Sequence, residues 1–575
     1  MGFLKKYAKK YWKLFFAAIF FLMLEAACDL SQPTIMSKII DIGIRNKRMD
    51  YVITMGGLML LVTLLGAIGA VTRSIMSCHV SQKFGTELRS DLFKKIQSFS
   101  FENIDKFETS SLITRLTNDV NQIQNFVMGM MRIFVKAPLL AIGSIVMAVL
   151  LNAKMAVILV LVVPIVGTLV FLSAKIGFPF FKKIQKAIDK INSVTGEYLA
   201  GVRVVKAFNR FDFEEERFYK ISSEMAGVSA TAFRVMSVFN PAITLTVNLG
   251  IILVLWLGGI RVNNGGIYVG QIIAFVTYMN QILISLTMIS FVFTAFVRAR
   301  ASYERISEVF LPGSNIISPE ISKKISNIKG VVEFNNVSFT YSGAQGEPVL
   351  KNITFKCTPG ETVGIIGSTG SGKSSLINLI PRFYDASVGT VKIGGVDVKD
   401  MDLKELRDKI AVVPQKTVLF TGTLIDNIRW GKEDAEAEEV QEAAAIASAH
   451  DFISSFPEGY NTLLGQGGVN LSGGQKQRVS IARAIIKKPD ILILDDSTSA
   501  VDMVTEANIR QEMKKYLKNM TCFIIAQRIT SIMGADRIIV LDNGKMVGIG
   551  KHEELIKSCE VYKDIFRSQI GKEGV

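Results

Sequence analysis

Histidine is nearly missing from this chain: in 575 residues only His79, His450 and His552 occur, and none falls in the stretch FIIAQRI (Phe523–Ile529), which carries Gln527. The five cysteines, Cys28, Cys78, Cys357, Cys522 and Cys559, are odd in number and far apart. No two have CxxC or zinc-ligand spacing, which argues against a disulfide framework and a cysteine metal centre. Charged residues make up only 20% of the chain against 49% hydrophobic. The N-terminal run KKYAKKYWKLFFAAIFFLMLEAA begins like a secretory signal, but no small-residue cleavage pattern ends it. It is read as a retained first membrane span.

The mean hydropathy of +0.34 is high for a soluble protein and is reconciled by an apolar half joined to a polar one. The length is too great for one compact core. The expected division is a transmembrane domain over 1–311, a linker over 312–330 and a polar domain over 331–570. The linker contains LPGSNIISPEISKK, rich in Pro, Gly, Ser and Asn. A net charge of +15 fits a nucleic-acid partner or basic segments beside anionic lipid. The apolar half selects lipid and excludes a nucleic-acid ATPase.

Crossing the hydrocarbon core takes about 20 helical residues. Six spans are expected: Trp12–Ala27 with a continuation, Val52–Val71, Val127–Leu151, Met155–Ala174, Ala232–Leu257 and Ile272–Phe296. Lys5, Lys6, Lys9 and Lys10 place the N-terminus in the cytoplasm, and six crossings return the chain there. Arg73, Arg132, Lys136, Arg298 and Arg300 near the inner ends agree, whereas the first outer loop, IRNKRMD, opposes this orientation mildly. The inner connections, about 73–125 and 175–229, are long, charged and helical in period. They read either as cytoplasmic arms or as amphipathic helices lying on lipid.

Glu25 and Asp29 are spaced i,i+4 on the first span. Two readings stay open for them: a cation- or proton-coupled position, or a hydrogen bond that fixes packing inside the bundle. Phe275, Tyr278 and Gln281, with Asn280, Phe291 and Phe293 beside them, line a cavity for amphipathic molecules or simply pack the last span.

In the polar half, VGIIGSTGSGKSSLINLI sets an apolar strand before Gly367-Ser368-Thr369-Gly370-Ser371-Gly372-Lys373-Ser374-Ser375 and a helical pattern after it. This is a G-x-x-x-x-G-K-S phosphate loop in its required context. Its backbone N–H groups turn toward phosphate oxygens, Lys373 reaches the β- and γ-phosphates, and the Ser374 hydroxyl binds Mg²⁺. ILILDDSTSAVD is an apolar strand ending in Asp495, a second Mg²⁺ position. LSGGQKQR begins at Leu471, and Gln415 lies in VVPQKTVLFTGTLIDNI.

Together these motifs resemble the ATP-binding-cassette (ABC) family, and their order behind a membrane half resembles its exporters over nearly the whole chain. SLITRLTNDV and GVRVVKAFNRFDFEEERF look like the inner loops that carry coupling helices. The nearest resemblance is to the degenerate-site half of bacterial heterodimeric multidrug exporters. The fold implied is a polytopic α-helical membrane domain of six helices, type I exporter-like, fused to an α/β P-loop cassette. The resemblance further implies that Tyr341 stacks on adenine and that Gln415 touches Mg²⁺ and senses the coupling helices. It implies that Leu471, Ser472, Gly473, Gly474 and Gln475 act on ATP bound by a second cassette. Ser499 to Asp502 then form the D-loop that crosses between cassettes.

The departures carry the functional expectation. Asp496 stands where the family usually has a glutamate base, withdrawing the carboxylate by about 1.5 Å. A displacement of about 1 Å can cost on the order of 100-fold in rate. Gln527 stands where a histidine is usual: it donates a hydrogen bond but carries no positive charge. Gln466 replaces a glutamate that usually meets the inner arms. The residues acting on this chain's own ATP are altered, and the signature acting on a partner's ATP is intact.

The expected protein is therefore one subunit of an ATP-driven heterodimeric exporter of amphipathic drugs or lipid-like compounds, using ATP and Mg²⁺. It works in the plasma membrane by alternating access, with a second half-transporter as partner. The alternatives are a dedicated peptide or lipid exporter, a homodimer with slow hydrolysis, and an ATP-gated channel or sensor. Few residues precede the first span, which disfavours a peptide exporter with an N-terminal peptidase domain.

Overall fold

The computed structural model describes residues 2–311, 313, 316–319, 321–323, 330–342, 346–516 and 520–570. Much of the expected linker, including 324–329, lies outside the described residues. Two compact units result: Met1–Gln97 with Thr109–Leu311, and Ser98–Glu108 with Pro312–Val575. The short segment Ser98–Glu108 thus belongs with the second unit, although the chain enters and leaves it through membrane helices.

Among the described residues, the first unit has six helices long and apolar enough to cross a membrane. They are α1 (Gly2–Lys38, continued by a π turn Ile39–Ile44), α2 (Met49–Gln97), α4 (Thr109–Leu151), α5 (Ala153–Ala207), α6 (Phe211–Asn263) and α7 (Val269–Phe310). Between α2 and α4 lies the short helix α3 (Phe101–Asp105). All six expected spans fall within these helices, but the helices run far past them. At about 1.5 Å per residue, α5 is about 80 Å long, well beyond a hydrocarbon core of about 30 Å. The outer connections are short, Asn152 alone separating α4 from α5. The surplus length is therefore on the inner side, as continuous extensions of the spans rather than separate helices lying on lipid. Ion pairs Lys190–Glu224 (2.7 Å) and Arg217–Glu197 (2.5 Å) join the extensions of α5 and α6. Arg305 and Ser302 of α7 hold the buried Asp119 of α4.

In the second unit, β1 (Val332–Phe339), β2 (Leu350–Cys357), β4 (Val388–Ile393) and β5 (Val396–Asp397) form an antiparallel sheet ordered β2-β1-β4-β5. A six-stranded sheet takes β3 (Thr362–Gly367), β6 (Ile410–Val413), β7 (Ile491–Asp495), β8 (Thr521–Ile525), β9 (Arg537–Asp542) and β10 (Lys545–Gly550), ordered β10-β9-β3-β8-β7-β6. All its neighbours are parallel except β9 with β10. Its central strands read as continuous apolar runs because helices cover both faces. The helices used below are α8 (Lys373–Asn378), α9 (Gly473–Ile486), α10 (Met503–Tyr516) and α11 (Glu560–Ile570).

Candidate functional site at the sheet edge

Four neighbouring strands, β3, β8, β7 and β6, end on the same edge of the sheet. In an open α/β sheet that carboxyl edge is where ligands bind. Each strand delivers one part of the site: the phosphate loop after β3, Gln527 after β8, Asp495 and Asp496 at the end of β7, and Gln415 after β6. Ile525 is in register with both Ile365 and Asp495, which sets these parts side by side.

The phosphate loop turns through Gly370 (φ +83°) and Gly372 (φ +96°), a backbone region open chiefly to glycine. Lys373 Nζ donates to the carbonyls of Gly367 (2.9 Å) and Ser368 (2.8 Å). The buried Ser371 hydroxyl has no hydrogen-bond partner among the described residues. A cleft of about 360 Å³ opens beside the loop, with Ser368, Thr369, Lys373 and Gln527 in its wall. An unpartnered hydroxyl, an ammonium bonded only to carbonyls, and open space fit a polyphosphate.

Ser374 Oγ donates to Asp495 Oδ1 at 3.3 Å. Gln415 Nε2 (3.3 Å) and Gln527 Nε2 (2.9 Å) both donate to Asp496 Oδ2. A hydroxyl, a carboxylate and the amide oxygen of Gln415 are hard oxygen donors, the set Mg²⁺ prefers. Bound there, Mg²⁺ would neutralise phosphate charge. Burial, more than any other cause, raises Asp495 above the usual carboxylate range, and the neighbouring Asp496 adds to the effect. Burial also raises Asp496, against the opposing hydrogen bond from Gln415. Lys373 is lowered by burial, with Asp495 and Asp496 opposing. Each charged form is thus held short of solvation, and ligands of opposite sign relieve that cost.

Tyr341 donates to or accepts from Ser375 Oγ at 2.9 Å, and its ring is held edge-on by Phe339 and Tyr384. Sequence reasoning missed Tyr384. Its hydroxyl donates to Asp105 of α3 at 2.7 Å, and the Phe101 ring of α3 packs tilted against Phe383, with centroids 4.6 Å apart. The segment Ser98–Glu108 therefore touches the ring that braces Tyr341. Burial and Asp105 push the Tyr384 phenol upward.

The signature residues form a separate surface. Ser472 caps α9 in a reciprocal box with Gln475, and no hydrogen bond among the described residues joins Leu471–Gln475 to the phosphate loop. A side chain on Gly474 would meet the Ala500 carbonyl at 2.8 Å, so the signature and D-loop lie in close contact. Gln477, also missed, clasps the D-loop: it donates to Ser499 Oγ (3.2 Å) and accepts from Ala500 N–H (3.0 Å). Ser499 donates in turn to the Asp496 carbonyl at 3.1 Å, and Asp502 caps α10 through Thr505 N–H. Gln466 is exposed in a short 3₁₀ turn.

In the membrane unit, Glu25 is buried between Arg73 Nε (2.7 Å) and Lys136 Nζ (2.5 Å), and Lys136 also meets Asp29 at 3.0 Å. Two carboxylates meet two cations, an arrangement that favours the packing reading. Tyr278 donates to the Leu30 carbonyl at 2.7 Å and shares a hydrogen bond with Thr34; Gln281 bridges Ser144 and the Asp29 carbonyl. Phe275 is buried in the same cluster. These side chains join α1, α4 and α7.

Comparison with known proteins agrees with this geometry. Residues 15–286 match the family model described as ABC transporter transmembrane region, and residues 350–499 match ABC transporter. The chain is 40% identical to "Uncharacterized ABC transporter ATP-binding protein YfiB" of Bacillus subtilis (strain 168), covering 99% of this chain and 98% of that one. It is 32% identical to "Putative multidrug export ATP-binding/permease protein YgaD" of the same organism, covering 99% and 100%. Among solved structures it resembles a bacterial Atm1-family ABC exporter with ATP bound, at 25% identity and a TM-score of 0.80, covering 98% and 99%.

Proposed function

Given that the chain belongs to the ABC transporter family, as an exporter half-transporter with a multi-pass membrane region and a cytoplasmic ATP-binding domain, we propose that it is the degenerate-site subunit of a heterodimer. The observation that carries this reading is the environment of Asp496. The carboxylate that would take a proton from attacking water is one methylene short of a glutamate and already accepts from two glutamine amides. Gln527 donates toward a γ-phosphate without supplying charge. Such a site grips ATP and turns it over poorly.

The signature side has no comparable defect. Its helix cap is complete, and the Gln477 clasp joins it to the D-loop. In the partner's site, Ser472 and the backbone of Gly473 and Gly474 would donate to the γ-phosphate. ATP held between the two cassettes closes them, the inner helix extensions carry that motion to the bundle, and hydrolysis at the competent site resets it. The cargo is an amphipathic drug-like or lipid-like compound; a relative named for multidrug export supports that class.

The test is ATPase activity of this chain purified alone and in the complex it forms in its own membrane. Each preparation is repeated with Asp496→Glu plus Gln527→His. Negligible turnover alone, brisk turnover in the complex and a rise on restoring both residues are expected. Substantial turnover by the unmodified chain alone would show that Asp496 suffices as base and would end the proposal.

A further inference from the structure

Strand β8 stops at Ile525, so the backbone of Gln527 and Ile529 has no strand partner to fix it. An amide on another element takes that role. Gln569 of α11 donates through Nε2 to the Gln527 carbonyl and accepts through Oε1 from the Ile529 N–H, both at 2.7 Å. The two bonds straddle Arg528 as a neighbouring strand would. Other contacts hold the loop further on: Arg528 reaches the Ser499 carbonyl, Arg510 reaches the Thr530 carbonyl, and Ser531 donates to Glu506. The Asp496 carboxylate takes a backbone hydrogen bond from Gln527 on the amide side, and the Gln569 bond holds the carbonyl side of the same residue.

Two further facts place α11 at the site. Ser568 and Gln569 stand in the wall of the cleft that also contains Ser368, Thr369, Lys373 and Gln527. The helix is anchored independently of Gln569, because Tyr562 and Phe566 are buried in a core with Ala526 and Ile529. Gln569 itself is exposed. Its amide is thus free of any packing duty.

We propose that Gln569 is a positioning residue for Gln527, which makes α11 a working part of the ATP site. It rests on the reading that the Gln527 amide faces the γ-phosphate. Fixing the main chain at Gln527 and Ile529 aims that amide, now 2.9 Å from Asp496, at one place. The consequence is selective: ADP has no γ-phosphate, so the Gln569–Gln527 bond bears on ATP affinity and not on ADP affinity.

The experiment uses the full chain in lipid nanodiscs, with MgATP and MgADP each competed against a fluorescent nucleotide. The variants are Gln569→Met, which keeps length and loses both hydrogen bonds, Gln569→Glu, which keeps the acceptor only, Gln527→Ala, and Gln527→Ala combined with Gln569→Met. Gln569→Met should weaken ATP about 3- to 10-fold and leave ADP unchanged, with Gln569→Glu between it and the parent. In the Gln527→Ala background Gln569→Met should have no further effect, the signature of coupling through Gln527. Unchanged ADP binding also reports an intact fold. If Gln527→Ala lowers the ATP-to-ADP preference and Gln569→Met does not, or if Gln569→Met weakens both nucleotides alike, the positioning role is overturned. If Gln527→Ala leaves the preference unchanged, the reading of Gln527 falls, and this inference falls with it.

Discussion

Each unit of this protein holds a pair of neighbouring acidic side chains, one buried and one half-buried, and the two pairs are partnered in opposite ways. Glu25 and Asp29, in the membrane unit, are met by the cations Arg73 and Lys136. Asp495 and Asp496, in the cassette, receive hydrogen bonds from a hydroxyl and two amides, all neutral. The first pair is closed: its charge is spent inside the bundle. The second is open: among the described residues no ion pair meets it. The kind of partner, more than the burial, separates a structural carboxylate from a functional one.

The largest effect should come from breaking the closed pair. Glu25→Ala leaves the buried Arg73 without its anion and Lys136 with Asp29 alone, and loss of about 3–5 kcal/mol is expected, seen as a lower unfolding temperature in detergent. Asp495→Asn should do the opposite: stability holds, and Mg²⁺-dependent ATP retention is lost. A fall in stability for Asp495→Asn matching that of Glu25→Ala would erase the distinction.

An intermediate case is Asp105, a carboxylate whose hydrogen bond comes from the neutral phenol of Tyr384. Tyr384→Phe removes one hydrogen bond and keeps the ring beside Tyr341, so about 0.5–1.5 kcal/mol is at stake. Hydrogen exchange over 98–108 should speed up by the corresponding factor while the β3 core stays protected.

The smallest effect is in pH. Asp495 and Asp496 are raised by burial, so the folded chain binds their protons more readily than the unfolded chain does. Stability of the nucleotide-free protein should therefore rise as pH falls toward that raised range, while Mg²⁺-dependent ATP retention declines. Asp495→Asn should flatten most of the first trend. A nucleotide-free stability that falls steadily over the same window would mean that other carboxylates dominate.

How legible the molecule is from sequence follows the same division. The phosphate loop, Asp495 and the signature are read directly because each is contiguous, and the strands and turns around them are local. The six spans are read from composition, but their true ends are not, since a charged helix extension has the same period as an amphipathic helix on lipid. What escapes is whatever works across distance. Arg73 and Lys136 reach Glu25 from 48 and 111 positions away. Tyr384 meets Asp105 across 279 positions, and Gln569 meets Gln527 across 42. A basic residue inside an apolar span is a signal that partially reveals the first case; a lone glutamine on a surface helix gives none. The assignment of Ser98–Glu108 to the cassette side belongs to the same class, because contacts rather than chain order decide it.

One backbone angle has a wider meaning. Asp496 sits at φ +48°, in the left-handed region, where aspartate is tolerated far better than most side chains. Lengthening that residue to glutamate trades conformational ease for chemical reach. A variant with the longer side chain must hold a strained turn open on the strength of its neighbours, whereas the present one rests there at low cost. The aspartate at this position is therefore a conformationally relaxed residue, and a glutamate there would gain reach and lose that ease in the same step.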